Sequence, residues 1–376
     1  MKKLTRWRRE FDVKIGLQHR QGKTRLNKKS NNYNKVSGSG LNKWIDKYIS
    51  DGLLSAFVKG HKVTIVLPER LNFNNDLEST ALHFNAIRKL TQNKIVPHKV
   101  YKLGMVNFDY LKSISTSASL VLTAELSKWD DAIRNRLRPS IANWDPEILI
   151  SFRDLGFFEL FRTKPVNFDK LKNETTQNRH IVKYIKGRCG DDQKTRILKT
   201  SITDIIGDEI NKWMFLHSGL SEAIVNVSHH AYPKEQGYSE GDKNWYLTAS
   251  FDNSNNELKV VFYDQGIGIP KSLPASKFKE KLLEYLSTFP ILERKRDETL
   301  LKAAVQLDRT STDEPDRGKG LQDLLEFTRQ RRDGSLSILS LKGLFELEIK
   351  DGSESVRTSR FDNPVSGTLI IWTVIV

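Results

Sequence analysis

"SEAIVNVSHHAY", residues 221–232, sets a carboxylate, an amide and two imidazoles at near-helical spacing inside an apolar stretch. Ala223, Ile224 and Val227 supply the stripe that a helix buries, while Glu222, Asn226 and His230 recur every fourth residue as a polar stripe. The stretch closes a segment, 204–232, whose pattern predicts one long helix. Downstream, "NWYLTASFD" (244–252) and "ELKVVFYD" (257–264) alternate as strands. "QGIGIP" (265–270) follows directly, and a charged, helix-rich segment runs to about residue 309. "DRGKGLQDLLEFTRQ" (316–330) then reads as a loop opening a helix, and "SLSILSL" (335–341), "LFELEIK" (344–350) and "TLIIWTVIV" (368–376) as strands.

Upstream the order also alternates. "LNKWIDKYISDGLLSAFV" (41–58) reads as a short amphipathic helix, "HKVTIVLP" (61–68) as a strand, and "NDLESTALHFNAIRKLTQ" (75–92) as a helix. "HKVYKLGMVNF" (98–108) is a second strand, and 115–135 and 145–161 are further helices. Strands alternating with helices imply a small α/β layer domain. The polar stretch 166–200 suits a linker, so the expected order is a basic arm (1–40), an α/β domain (41–165), a linker and a second domain (201–376). The fold class is α/β, more specifically α+β.

At 376 residues and 38% hydrophobic content the chain can form two or three cores. No run is long and apolar enough for a membrane span, and the N-terminus carries no apolar signal region, so a cytoplasmic protein without a membrane partner is expected. Cys189 is the one cysteine, which excludes an intramolecular disulfide and a thiolate cluster, and a metal would be held by oxygen or imidazole. The net charge of +15 is uneven: residues 1–35 hold twelve Lys/Arg against Glu10 and Asp12. Aromatics interleave with arginines in "TRWRREF" (5–11), which suits nucleic acid; a solvated tail and an acidic protein partner fit the same arm.

Three signals carry chemistry. Glu222 and Asn226 share one helix face; Asp264-x-Gly266-x-Gly268 follows an apolar strand; Gly318-x-Gly320 opens a helix. Each alone is common, but in this order they describe a nucleotide pocket. A buried Asp at a strand end accepts the exocyclic amine of adenine, which guanine replaces with a carbonyl. Flanking glycines let the backbone approach the base. The N–H groups at a helix start cradle phosphate. An Asn oxygen suits Mg²⁺, and a Glu one turn earlier orients or deprotonates an attacking hydroxyl.

"LSEAIVNVSHHAY" (220–232), "YDQGIGIP" (263–270) and "DRGKGLQDLL" (316–325) resemble the three sequence boxes of the GHKL ATP-binding fold, shared by gyrase, the ninety-kilodalton heat-shock chaperones, histidine kinases and mismatch-repair ATPases. The resemblance covers roughly residues 200–376 and implies a Bergerat-type α/β sandwich, a mixed sheet under helices, that binds ATP and Mg²⁺. It implies Glu222 as general base, Asn226 as Mg²⁺ ligand and Asp264 as adenine anchor. Gly266 and Gly268 would line the base, Gly318, Lys319 and Gly320 would hold phosphate, and Thr368 in "SGTLIIW" (366–372) would reach the adenine side. Residues 271–317 would form a long lid. Lys319 stands where relatives carry an apolar residue.

Within that superfamily the chain looks most like anti-sigma-factor serine kinases, whose helix closes on a similar "HAY". His230 and Tyr232 match it, which brings His230 to the nucleotide, whereas His229 reads as closing the helix. Residues 60–165, with "VNFDYLKSISTSASLVLTAEL" (106–126) and "DLGFFELF" (154–161), resemble a STAS domain, in which a Ser at a helix start accepts phosphate. Ser117 is the nearest equivalent, although Ser115 replaces the usual Asp before it, and capping alone selects such residues. The resemblance implies an ATPase or a serine/threonine kinase, acting on a sigma-factor-like or other regulatory partner or on its own STAS-like domain. An ATP-gated clamp on nucleic acid, working through residues 1–35, is the alternative, and a homodimer fits either.

Overall fold

The apolar alternation of 244–252 and 257–264 produces the two central strands of the fold. The computed structural model describes residues 38–91, 99–129, 143–162, 178–207, 212–273, 279–310 and 320–376, with the single positions 134, 141 and 168. The basic arm of 1–35, Gly318 and Lys319 lie outside the described residues. Residues 38–376 form one compact unit of α+β type.

Chain order begins with α1 (Gly38–Ser50), β1 (Ala56–Lys59), β2 (Lys62–Val66), β3 (Arg70–Leu71), α2 (Leu77–Thr91), β4 (Lys102–Asn107), β5 (Ser113–Ile114), α3 (Thr116–Ser127) and α4 (Pro146–Leu155). The helix expected over 41–58 therefore ends at Ser50, and its last residues form strand β1. Asp145 caps α4, whose Glu147 N–H reaches the Asp145 carboxylate at 3.0 Å, and Gly156 closes it with φ of 86°.

β6 (Arg179–Ile181) and β7 (Ile185–Arg188) follow, then α5 (Thr195–Ile206) and α6 (Trp213–Asn226). The stretch 166–200 that reads as a linker thus carries, over its described residues, two strands and the start of a helix. The single helix expected over 204–232 is two, because Gly207 ends α5 in the left-handed conformation at φ 83°. A π-helical turn, Val227–Ala231, continues α6.

The remaining elements are β8 (Asn244–Asp252), β9 (Glu257–Asp264), the short α7 (Ile269–Ser272), α8 (Lys279–Ser287), α9 (Asp297–Thr310), α10 (Gly320–Arg329), β10 (Gly334–Lys350) and β11 (Ser353–Ile375). Two of the strands read from sequence, 335–341 and 344–350, are one strand, β10, with an irregular step near Leu341.

The large sheet runs β10-β11-β9-β8-β6, with β7 also on β8, and all its pairs are antiparallel. Parallel pairs occur in the small sheets, β2 with β4 and β3 with β5. Strand alternation gives the large sheet two apolar faces. Leu247, Val260, Phe262, Ile370 and Trp372 pack with residues of α5, α6, α9 and α10. Tyr246, Val261, Tyr263, Leu369 and Ile371 pack with residues of α2, α3 and α4. The N-terminal helices therefore cover the reverse face of the C-terminal sheet, and α3, buried on every side from Thr116 to Leu126, lies between layers. Among the described residues no helix is long and apolar enough to cross a membrane.

Candidate functional site

Asp264 is the last residue of β9 and faces the side of the sheet covered by α6 and α10. It is buried at 4% exposure. One carboxylate oxygen accepts the Gly266 N–H at 2.7 Å, and the Thr368 hydroxyl donates to the same group from the facing position of β11. Burial pushes the carboxyl up to about 6, against the pull of the Gly266 and Thr368 hydrogen bonds. The two residues expected at the adenine side, Asp264 and Thr368, are thus brought together.

The loop after Asp264 is seated on the end of α6. Ile267 N–H donates to the Ala231 carbonyl at 2.9 Å. A Cβ at Gly266 would stand 2.4 Å from that carbonyl oxygen, so only glycine permits the approach. Gly268 holds φ of 83° and starts α7. The Ser340 hydroxyl accepts the Ile269 N–H at 3.0 Å and donates to the Gly367 carbonyl at 2.9 Å, tying the loop to both neighbouring strands. Tyr232 does the same from the helix side: its hydroxyl donates to the Asn244 carbonyl at 2.7 Å and accepts the Gln265 N–H at 3.2 Å. Ser340 escapes sequence reading because nothing local marks it; Tyr232 was visible only as part of the "HAY" ending.

Along α6, Asn226 Nδ2 donates to Glu222 Oε1 at 2.8 Å, so the pair shares one face as its spacing requires. The α-helical period stops there. The π turn takes an extra residue per turn, which leaves His230 exposed and turns Ala231 onto the Gly266 loop. Partial burial, with His229 beside it, holds His230 below the ordinary imidazole range.

Helices α6 and α10 pack antiparallel. Lys212 Nζ reaches the Gln330 carbonyl at 2.8 Å, and a Cβ at Gly219 would meet the Asp323 carbonyl at 3.0 Å. Ser218 Oγ donates to the Asp323 carboxylate at 2.6 Å. Continuing that run brings the N-terminus of α10, at Gly320, alongside Glu222. Of the expected lid, α9 packs on β10 and α10 through Leu301 and Val305, and α8 joins it through Leu282 and Leu286 against Ala303.

With its amide nitrogen turned to Glu222, Asn226 offers its carbonyl oxygen as the atom a Mg²⁺ would take. Among the described residues no three His, Cys, Asp or Glu side chains converge on a metal position. A Mg²⁺ here fits as an ion held by one protein oxygen, phosphate oxygens and water.

Ser117 stands apart from this site. It is 2% exposed, and its hydroxyl lies 3.0 Å from that of Ser115, the residue that caps α3 through the Ala118 N–H. Neighbouring Thr116 bonds Ser250 at 2.7 Å and takes a hydrogen bond from Arg179 at 2.6 Å. Capping and layer contact account for this cluster, and a partner's active site has no access to Ser117 as it is folded.

On the reverse face, the strand end that carries Asp264 meets a buried polar network. The Arg88 guanidinium engages Glu125 with both Nε, at 3.0 Å, and one terminal nitrogen. Tyr263 and Gln265 donate to the same carboxylate at 3.3 Å and 2.8 Å. Burial alone would raise the Glu125 carboxyl, but Arg88 beside it and the Gln265 amide hold it below the ordinary range. No family model matches the chain, and no curated protein matches it.

Proposed function

We propose that the chain binds Mg·ATP between α6, the 264–268 loop and the start of α10, and directs its γ-phosphate to water or to a Ser/Thr of a regulatory partner. The observation that carries this reading is the buried Asp264 carboxylate, bonded by Gly266 and Thr368 where the loop closes on the α6 end. A carboxylate so fixed accepts the amine of adenine and repels the carbonyl of guanine, which gives base choice by hydrogen-bond polarity. The start of α10 offers backbone N–H groups to phosphate, and Gly318 and Lys319 precede it in sequence.

Bound Mg²⁺ would neutralise phosphate charge as the transferring group develops its own. Asn226 would supply its carbonyl oxygen to that ion. Glu222 takes the proton of the attacking hydroxyl as its oxygen bonds the γ-phosphorus and the β–γ bridging P–O bond breaks, ADP leaving with the bridging oxygen; the Asn226 amide N–H fixes the carboxylate that takes the proton. Hydrolysis and transfer share these steps and differ in what occupies the attacking position. The buried state of Ser117 favours an acceptor other than the chain's own N-terminal layer.

Calorimetric titration of the full chain with ATP and with GTP, each with Mg²⁺, tests base choice. Binding of ATP but not GTP is expected, and no nucleotide binding with Asp264 intact overturns the reading. Incubation with γ-labelled ATP then separates labelled protein from released phosphate.

A further inference from the structure

The solvent-facing side of the small N-terminal sheet carries a pattern that folding does not require. β1, β2 and β4 pair so that Lys59 stands opposite Lys62, and Lys62 opposite Lys102. Three exposed ammonium groups therefore cross the sheet in one row, and among the described residues none of them makes an ion pair. Like charges directly opposite one another weaken a strand pair. Stability would disperse this row; an anionic ligand would favour it.

The next row on the same face is Phe57, Thr64 and Met105. Phe57 is 69% exposed and Met105 46% exposed, while Val63 and Ile65 on the other face are buried in the core. An uncovered aromatic ring thus stands beside a cationic row on one face of the sheet, and none of the six positions is acidic.

We propose that this face binds single-stranded nucleic acid, with Lys59, Lys62 and Lys102 on phosphates and Phe57 stacked on a base. The inference is independent of the ATP reading, which concerns the other side of the molecule's large sheet. Single strands are favoured over duplex because an exposed ring needs an unpaired base to stack on. A lipid surface would use the lysines but asks for more apolar area than one ring and one thioether.

The test is fluorescence anisotropy of the full chain with short labelled oligo-dT and oligo-U, over a series of salt concentrations. Phe57→Ala should weaken binding roughly tenfold, within the range of one base stack. Replacing Lys59, Lys62 and Lys102 by Gln should flatten the slope of log K against log salt by about 2, as three single-strand phosphate contacts require. The side chains are exposed, so both variants should melt like the parent, and a melting scan verifies it. Unchanged affinity and salt slope in both variants, with binding lost only when the basic residues of 1–35 are neutralised, would overturn the proposal. So would duplex binding as tight as single-strand binding, or binding to phosphatidylserine vesicles that survives Phe57→Ala while oligonucleotides fail to bind.

Discussion

Asp264 and Thr368 face each other across β9 and β11, and the threonine hydroxyl hydrogen-bonds the buried carboxylate. The carboxyl keeps its proton to about pH 6 in the fold, against an ordinary value of 3.8. Its contribution to stability is therefore fullest below pH 3.8 and is lost as pH rises through about 6. Asp264→Asn should raise the stability of the ligand-free protein by up to about 3 kcal/mol at neutral pH, with the gain vanishing near pH 4. Urea unfolding at a series of pH values measures it. The same variant should bind no ATP, since the amide cannot offer two acceptor oxygens.

In the proposed function Glu222 moves a proton, and the Asn226 amide, 2.8 Å from it, holds it in position. Glu222→Ala should leave ATP affinity near that of the parent while lowering turnover, or transfer, by about 10²–10⁴-fold. Asn226→Ala should lose the dependence of ATP binding on Mg²⁺. Single-turnover kinetics beside equilibrium titration distinguishes the two effects.

Gly266→Ala tests the seating of the loop. The added methyl meets backbone, a carbonyl oxygen 2.4 Å away, and backbone has no rotamer to yield. A loss of about 2–3 kcal/mol is expected, with ATP binding impaired as well because the Asp264 carboxylate loses its Gly266 partner geometry. Thermal melting and calorimetry report the two parts.

Glu125→Leu should strand the buried Arg88 charge and destabilise the fold by about 3–5 kcal/mol. Pairing it with Arg88→Met should recover most of that loss, because the apolar pair leaves no unmatched charge. A denaturation double-mutant cycle checks both.

Much of this architecture was legible. β8 and β9 were readable to the residue because their apolar alternation is uninterrupted, and Glu222 with Asn226 because i, i+4 spacing is local. The break at Gly207 was obscured since apolar periodicity resumes in register beyond it. β1 reads as the end of a helix in sequence because "SAFV" is too short to show a period of two. The Arg88–Glu125–Tyr263–Gln265 network is closed by hydrogen bonds between residues up to 175 apart in sequence, and no spacing rule reaches that far. One signal did exist: "SASLVLTAEL" (117–126) is nearly apolar all round, the mark of a helix covered on every side rather than one face of a separate domain. Ser117 was ambiguous because a helix cap and a phosphate acceptor ask for the same residue type.

Because α2 and α3 roof the reverse face of the sheet, and β6 and β7 enter that sheet from before residue 200, the half that carries Asp264 is not a transplantable module. A fragment beginning at 201 would lose two strands and expose Tyr246, Val261 and Tyr263 to water. Dissection of this protein by truncation would therefore measure misfolding, and its two halves are to be taken apart one side chain at a time.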